Sequence, residues 1–378
     1  MKKSKMEDNE NDESQIHLPD DLIVHYILPW QPIKPLAQYK LLSKQWYFSL
    51  SSPNFILNYT NLPLYSHPIP PIKSLFIQSG NSFYLYSCDN LDDNVVEVDR
   101  NTEDYLIKLN DYDFDVGNDV VNLVGSCNGL VCLGEIYGNY FILWNPSANQ
   151  SHKYFSEVLD TSSCDWPPHI RWGFGYVSSM DDYKVVRLIQ YQIGLLVDTF
   201  VHVFSLRANT WKKIEFDLVD CSYVLIERPR LVNETLYWTA SRNPYGNMKI
   251  VAFDIASETF DMFPHLAMLS PLGVVLCVMG GCLSKCVVRY QNEWVIDIVR
   301  GPGRVYPLHL NCDLGRFDDL IGFTMSNKVL VAYTSPNMLG LVDLSLVGLS
   351  SKESLVKFRY EGRTRIESYV TSQISPHP

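Results

Sequence analysis

The cysteines are the first residues of this 378-residue chain that could bind a metal or attack a substrate, and there are nine of them. The closest groupings are Cys127 with Cys132 and Cys282 with Cys286. Neither pair has a histidine at the spacing of a zinc site, and there is no Cys-x-x-Cys motif. The sequence therefore predicts no metal site and no cofactor, and reduced, buried thiols are expected.

Histidines and paired carboxylates are the other candidates for acid–base chemistry. His202 lies in a run typical of a strand, where a single histidine is more often structural than catalytic. Asp181-Asp182 and Asp318-Asp319 are typical of turns, in which aspartate bonds its own backbone. The Gly-x-Ser-x-Gly, phosphate-loop and His-Glu-x-x-His motifs do not occur. We therefore predict no catalytic residues and expect a binding protein rather than an enzyme.

The segment over residues 16–57 predicts three short helices. The first helix begins at Pro19, and the two aspartates that follow suit its positive N-terminus. A second helix runs over about residues 33–42, and Ser43 is the predicted N-cap of a third helix that Pro53 ends. Apolar residues recur at helical spacing in all three, and so small a unit cannot bury them by itself. We expect this segment to dock onto another protein.

The order and spacing of these residues resemble the F-box, a motif that binds a Skp-family adaptor and, through it, the cullin of a ubiquitin ligase. Two positions depart from the family pattern, because Gln31 stands where leucine is usual and Ser43 where cysteine is common. The alternative is an amphipathic packing unit within a larger domain. The resemblance implies the following adaptor-binding residues: Leu18, Pro19, Leu22, Ile27, Pro32, Ile33, Leu36, Lys44 and Trp46.

From Ser74 onward, apolar and polar residues alternate between turn-forming residues, which is typical of β-strands. The uncharged stretch over residues 266–283 contains Gly280-Gly281, and it predicts a hairpin rather than a membrane span. Ten further strands are predicted: Ser74–Ile77, Phe83–Tyr86, Leu130–Leu133, Tyr140–Trp144, Tyr183–Leu188, Phe200–Phe204, Thr235–Trp238, Ile250–Phe253, Trp294–Val299 and Val329–Tyr333.

A weak internal repeat runs through the strand-rich part. In each copy a strand ends in a polar turn, anchored at Asn145, Ser205, Asp254 or Asp343. The intervals between these anchors are 60, 49 and 89 residues, the last close to two units. A period of about 45 to 50 residues is typical of four-stranded propeller blades, so this part would hold roughly six blades.

Two strings in this part resemble the F-box-associated domain of plant F-box proteins. The first covers residues 124–132 and is followed by Trp144-Asn145-Pro146. The second covers residues 172–176 and is followed by residues 181–187. The resemblance implies a kelch-like β domain that receives a target protein.

The predicted fold is therefore mainly β, with a small N-terminal three-helix F-box followed by a β-propeller-like F-box-associated domain. The predicted divisions are a disordered N-terminus over 1–15, the F-box over 16–57, a linker over 58–73, the F-box-associated domain over 74–370 and a disordered tail over 371–378.

The formal net charge of −11 is concentrated in one part of the chain. Between Asp89 and Asp119 there are eleven acids and two bases, which gives −9. This balance argues against nucleic acid and favours a basic protein partner, although a solvated surface loop is the simpler interpretation. No signal peptide or membrane span is predicted, which indicates a cytoplasmic or nuclear protein.

Two functions from different classes are compatible with these features. The resemblance implies the substrate-recognition subunit of a Skp–cullin–F-box ubiquitin ligase, a non-catalytic adaptor that recruits a target protein for ubiquitination and proteasomal degradation. The alternative is a propeller enzyme or sugar-binding lectin with a helical N-terminal extension. The sequence assigns no substrate-binding residues.

Overall fold

One helix and twenty-four strands lie in the part of the chain that the structure, a computed structural model, describes. The chain divides into two units, residues 1–69 and residues 70–378. The helix belongs to the first unit and the strands belong to the second. The described residues are 39, 42–51, 74–87, 106–109, 114–156, 167–193, 196–216, 223–242, 248–268, 274–279, 282–288, 293–300, 304–311, 317–323, 328–333, 338–343, 354–356, 364–370, 372 and 374–377.

Helix α1 spans Lys44–Ser51 and begins where the sequence predicts. The Ser43 hydroxyl oxygen accepts a hydrogen bond of 3.1 Å from the backbone N–H of Trp46, which is the geometry of a serine N-cap. Tyr39, in the predicted second helix, is also helical. The remainder of the predicted three-helix segment lies outside the described residues.

The strands form six four-stranded antiparallel sheets among the described residues. We call the sheets blades 1 to 6, in the orders β24-β1-β2-β3, β4 to β7, β8 to β11, β12 to β15, β16 to β19 and β20 to β23. The strands are β1 Ser74–Ser79, β2 Ser82–Ser87, β3 Leu106–Leu109, β4 Val121–Cys127, β5 Leu130–Glu135, β6 Tyr140–Asn145, β7 Gln150–Phe155, β8 His169–Val177, β9 Asp182–Ile193, β10 Leu196–Ser205, β11 Thr210–Ile214, β12 Val224–Val232, β13 Thr235–Ser241, β14 Met248–Asp254, β15 Thr259–Met268, β16 Val274–Met279, β17 Cys282–Val288, β18 Glu293–Arg300, β19 Arg304–Asn311, β20 Phe317–Phe323, β21 Lys328–Tyr333, β22 Met338–Asp343, β23 Ser354–Val356 and β24 Thr364–Tyr369.

The six blades form a closed ring. The first strand of each blade contacts the first strand of the next, and β24 contacts both β20 and β4. β24 pairs along the whole of β1, so the last strand of the chain supplies the innermost strand of blade 1. This propeller-like arrangement confirms the predicted mainly-β fold, and the six sheets agree with the estimate from the repeat. The ten strands predicted from the sequence are present, and β16 and β17 pair as the hairpin predicted around Gly280-Gly281.

The direction of β1 distinguishes the two ends of the ring. The chain enters β1 at Ser74, which pairs with Tyr369 at the end of β24, and we call this side the entry end. β1 leaves at Ser79, next to the turn at Gly80, and we call that side the far end. Because the strands of every blade alternate in direction, turns between the third and fourth strands lie at the entry end.

The repeated turns predicted from the sequence are these entry-end turns. Asn145 and Asp254 each use a side-chain oxygen to accept two backbone N–H groups of the turn, at 2.7 to 3.2 Å. The fifth residue of the turn has a left-handed φ in three blades: 50° at Asn149, 51° at Asn209 and 58° at Glu258. The four anchors end β6 at Asn145, β10 at Ser205, β14 at Asp254 and β22 at Asp343.

Blade 3 packs closely against blade 4 through the glycines of β8. A Cβ atom at Gly175 would lie 2.7 Å from Cδ1 of Ile255, and one at Gly173 would overlap the side chain of Leu236. Between these blades the buried core includes Trp238 and Phe253, both 0% exposed. The second family-like string therefore contains glycine because the next blade occupies the space of a side chain.

Two buried glutamines tie neighbouring blades together with the same geometry. The side-chain amide of Gln190 in β9 donates to the carbonyl of Tyr223 at 3.1 Å, and its oxygen accepts the N–H of Leu225 at 2.8 Å. Gln78 in β1 makes the same pair of bonds to β4, at 2.7 and 2.6 Å. Each amide acts as a peptide group for the inner strand of the next blade, which satisfies backbone groups that water does not reach.

An ion triad of a buried lysine, a half-buried glutamate and an exposed lysine is a further tie between blades 3 and 4. Lys184 of β9 and Lys212 of β11 lie 2.9 and 2.6 Å from the two carboxylate oxygens of Glu258, and Lys184 also donates to the carbonyl of Ile255. Burial raises the pKa of the Glu258 carboxyl, but the hydrogen bonds and charges of Lys212 and Lys184 outweigh it and hold the pKa below its usual value. The triad therefore contributes stability at neutral pH, and that contribution is lost as the pH falls through the lowered pKa.

The end of the chain lies against blade 2 instead of being disordered. The side-chain amide of Asn145 donates to the carbonyls of Ser372 and Ile374 at 3.0 and 2.8 Å, and the Tyr154 hydroxyl donates to the carbonyl of Pro376 at 2.7 Å. Gly129 has a φ of +85°, and a Cβ atom there would overlap Ser372. The prediction of a disordered tail over 371–378 is wrong for the residues described there, because side chains of blade 2 satisfy its carbonyl groups.

Substituting Gln190→Met tests the glutamine tie. Methionine keeps the length of the side chain but leaves the N–H of Leu225 and the carbonyl of Tyr223 without their buried partner, so we expect a loss of about 2 kcal/mol in the free energy of unfolding. The measurement is the urea midpoint followed by tryptophan fluorescence. Gln150→Met, at an exposed position of β7, is the matched control. Equal midpoints for the two variants would contradict the tie.

Ending the chain at Val370 tests the docked tail. Removing three hydrogen bonds and the contacts of Ile374 should cost about 2 to 3 kcal/mol and lower the melting temperature. Tyr154→Phe should cost about 1 kcal/mol in the full chain and almost nothing in the shortened chain, because its hydroxyl then has only water as a partner. Calorimetry of the four proteins gives this coupling, and additive effects would show that the tail is not bound to Tyr154.

Candidate interaction surfaces

The residues that could do chemistry have structural roles where the structure describes them. Burial raises the pKa of the Cys132 thiol well above its usual value, which leaves it protonated and unreactive. Asp182, predicted as a turn residue, is instead the first residue of β9, and it accepts hydrogen bonds from the Ser205 hydroxyl and the N–H of Arg207 in the turn after β10. No cluster of three or more potential metal ligands from His, Cys, Asp and Glu occurs in the described ranges.

One of the predicted acidic turns is wrong. Asp318 and Asp319 lie within strand β20, where the pairing register with β21 shifts between Phe317 and Asp319. The extra residue of a β-bulge explains why two adjacent aspartates are tolerated inside a strand. Asp181, by contrast, lies in the turn between β8 and β9, with a φ of 50°.

Charged side chains of opposite blades meet at the centre of the ring. Arg228 of β12, in blade 4, lies 2.9 Å from the carboxylate of Glu367 in β24, and it also donates to the carbonyl of Ile366 at 2.8 Å. Arg230 of β12 lies 3.9 Å from the same carboxylate oxygen. Because blades 1 and 4 face each other across a ring of six, this ion pair spans the centre. These polar groups at the centre therefore bind other groups of the protein.

Helix α1 carries the described part of the predicted adaptor-binding surface. Trp46 is half-buried and lies edge-on to Tyr39, with ring centroids 6.0 Å apart. Lys44 is exposed, and Leu42 and Phe48 are 67% and 70% exposed. Large apolar side chains at such exposure are typical of a partner-binding surface when they cluster. The other predicted adaptor-binding residues lie outside the described part: Leu18, Pro19, Leu22, Ile27, Pro32, Ile33 and Leu36.

A second exposed surface lies on blade 2 at the far end of the ring. We call Val120, Tyr137 and Phe155 the blade 2 rim, and they are 48%, 65% and 71% exposed. The N–H of Ile136 donates to the carbonyl of Val120, and Phe155 pairs with Tyr140 across β6 and β7. These backbone contacts place the three residues at the same end of blade 2. The prediction from sequence missed this surface, because single aromatic residues at turn and strand ends carry no periodic signal.

Buried side chains fix the turn that presents Tyr137. The carboxylate of Glu135 accepts the N–H groups of Tyr137 and Asn139 at 2.9 and 3.0 Å. Arg187 of blade 3, 1% exposed, donates to the carbonyl of Gly138 at 2.7 Å. The turn is therefore held from behind by two charged groups and does not depend on a partner for its conformation.

The fold divides the acidic stretch over residues 89–119 between two connections. Residues 88–105 connect β2 to β3 from the entry end, since Ser87 pairs with Ser74. Residues 110–120 leave β3 at the far end and lead into β4, beside the blade 2 rim. Seven of the eleven acids therefore belong to one connection and four to the other, on opposite sides of strand β3.

Comparison with known proteins agrees with this architecture. Residues 76–291 match the model of the F-box associated β-propeller domain family, a shorter region than the predicted 74–370. The chain is 26% identical to the F-box/kelch-repeat protein At3g23880 of Arabidopsis thaliana, over 70% of this chain and 71% of the relative. It is 29% identical to the F-box protein CPR1 of Arabidopsis thaliana, over 73% of this chain and 67% of the relative.

Among solved structures, the Dos1 propeller is similar at 12% identity with a TM-score of 0.41, over 76% of this chain and 68% of that structure. Within the described residues, no helix has the length and apolarity needed to cross a membrane. The family match covers more than half of the chain and coincides with the ring of sheets from β1 to β17. The chain therefore belongs to the family of proteins that carry an F-box associated β-propeller domain.

Proposed function

We propose that this chain is the substrate-recognition subunit of a Skp–cullin–F-box ubiquitin ligase, acting in the cytoplasm or nucleus. Residues 16–57 form the F-box and bind the Skp-family adaptor, and the ring of blades binds a target protein. The chain itself does no chemistry. It holds the target at high effective concentration near the ubiquitin-conjugating enzyme, so that lysine side chains are modified and the target is degraded by the proteasome.

The proposal rests on the division of the chain into two units, the second of which carries the F-box associated β-propeller domain. Two relatives, which match 70% and 73% of this chain, are named as F-box proteins. In the described part of the first unit, Leu42 and, within helix α1, Phe48 are exposed, which supports a docking role. In the second unit, the Cys132 thiol is buried and the Asp182 carboxylate is bonded to a neighbouring turn, which supports an adaptor rather than an enzyme.

The test is binding of the full-length chain to a purified Skp-family adaptor, measured by biolayer interferometry. Leu18→Ala combined with Trp46→Ala should weaken binding at least about thirtyfold, because buried tryptophans at interfaces are worth about 2 kcal/mol or more. Phe48→Ala is a milder companion variant, since this side chain is exposed and its loss leaves the helix intact. Ile107→Ala, at a position 65% exposed on β3, is the matched control and should bind as the unmodified chain does.

Two results would contradict separate parts of the proposal. Failure of the unmodified full-length chain to bind any Skp-family adaptor would overturn the ligase function. Unchanged binding by the double variant, with circular dichroism showing a folded protein, would instead show that the adaptor-binding residues have been assigned wrongly.

A further inference from the structure

The blade 2 rim is an apolar surface at the ends of three strands. Tyr137 and Phe155 are 65% and 71% exposed, and Val120 is joined to this end of the blade by the bond from the N–H of Ile136. Met180 and Val370 are exposed at the entry end instead. The two exposed aromatic rings at one end of blade 2 provide flat faces that attract cations.

Carboxylates border these rings. Asp115 and Asp119 are exposed in the segment that leads into β4, and Asp119 accepts a hydrogen bond of 2.9 Å from the hydroxyl of Tyr140. Lys153 is the basic group at this border, and its ammonium donates to the carbonyl of Asp115 at 2.8 Å and lies 4.3 Å above the ring of Tyr140. Asp111 and Asp113 precede these residues in the sequence.

Carboxylates act on the hydroxyl of Tyr140, next to Phe155 in the sheet. Burial raises the pKa of its hydroxyl most, and the hydrogen bond to Asp119 and the charges of Asp119, Glu135 and Asp115 raise it further. Behind the turn, the buried carboxylate of Glu135 is accompanied by the buried guanidinium of Arg187. At the rim itself, the exposed charged groups are the carboxylates of Asp115 and Asp119 and the ammonium of Lys153, which already binds the Asp115 carbonyl. The rim therefore favours a positively charged partner.

We propose that the blade 2 rim, with Asp115 and Asp119, binds a segment of the target protein rich in lysine and arginine. The identity of this partner as a ubiquitination target rests on the proposed function; the basic character of the partner does not. Guanidinium and ammonium groups lie over the faces of Tyr137 and Phe155 and donate to the carboxylates. An acidic segment would be repelled, and an apolar one would leave the carboxylates desolvated without a partner.

The rigidity of the site supports a binding role. The turn that carries Tyr137 is fixed by Glu135 and Arg187, and the indole N–H of Trp211 donates to the carbonyl of Phe155 at 3.1 Å. Both rings are therefore attached to backbone that other side chains already hold. Little backbone order has to be gained when the partner binds, which favours affinity.

The experiment selects short peptides from a random displayed library on the full-length chain and measures the affinity of the selected peptides by fluorescence anisotropy. We expect the selected peptides to be rich in lysine and arginine. Tyr137→Ala with Phe155→Ala should weaken their binding about tenfold, and Asp115→Asn with Asp119→Asn, which keeps the hydrogen-bond acceptors, should weaken it severalfold and reduce its salt dependence. Met180→Ala with Asp261→Asn, exposed residues away from the rim, is the matched control and should have no effect.

Several outcomes would overturn the inference. These are a selected set with no excess of basic residues, basic peptides that bind the rim variants as tightly as the unmodified chain, or no selected binder at all. Binding of a neutral oligosaccharide at Tyr137 and Phe155 in place of a basic peptide would overturn it as well. Binding to the Skp-family adaptor is measured on the same variants and should be unchanged. If the unmodified chain does not bind the adaptor, the result contradicts the ligase function but not the binding of basic peptides at the blade 2 rim.

Discussion

The pairing of β24 with β1 is the interaction on which the rest of the structure depends. Six residues of the last strand, Thr364–Tyr369, pair in register with six residues of the first. The ring closes only through this pair, and the buried Tyr369 then packs against Phe76, with its hydroxyl 2.6 Å from that of Ser147 in blade 2. Without it, blade 1 would lose its inner strand and blade 2 would lose part of its core, so both ends of the chain are needed before the ring is stable.

Closure also explains why the blades need polar ties in addition to apolar packing. Neighbouring sheets pack face to face. The first strand of a sheet is an edge strand, so some of its backbone N–H and C=O groups have no partner strand within the sheet. Gln78 and Gln190 supply the missing amide groups, and Glu258 holds Lys184 and Lys212 at the boundary of blades 3 and 4. Such groups are directional, so they specify the angle at which one blade lies on the next, which apolar contacts alone do not specify.

The sequence predicts the repetitive part of this fold well because that part is local. Alternation of apolar residues predicts strands such as β9 and β14, and the turn anchors Asn145 and Asp254 bond their own backbone whatever surrounds them. Strand β24 carries no comparable signal, since Thr364–Tyr369 includes an arginine and a glutamate whose partners, Leu123 and Arg228, lie far away in the chain. The docked tail was missed for the same reason, because its order comes from Asn145 and Tyr154 and not from its own composition.

The same difference between local and long-range contacts decides which candidate sites the sequence could predict. Trp46 and its serine cap could be placed from the sequence because a helix and its N-cap are local. The blade 2 rim could not, because Val120, Tyr137 and Phe155 come together only when three strand ends meet at the far end of one blade. Strand β4, seven residues long, spans roughly 20 Å between the two ends of the ring. The chain enters β1 at Ser74 and leaves β24 at Tyr369 at one end of the ring, whereas the rim lies at the other end.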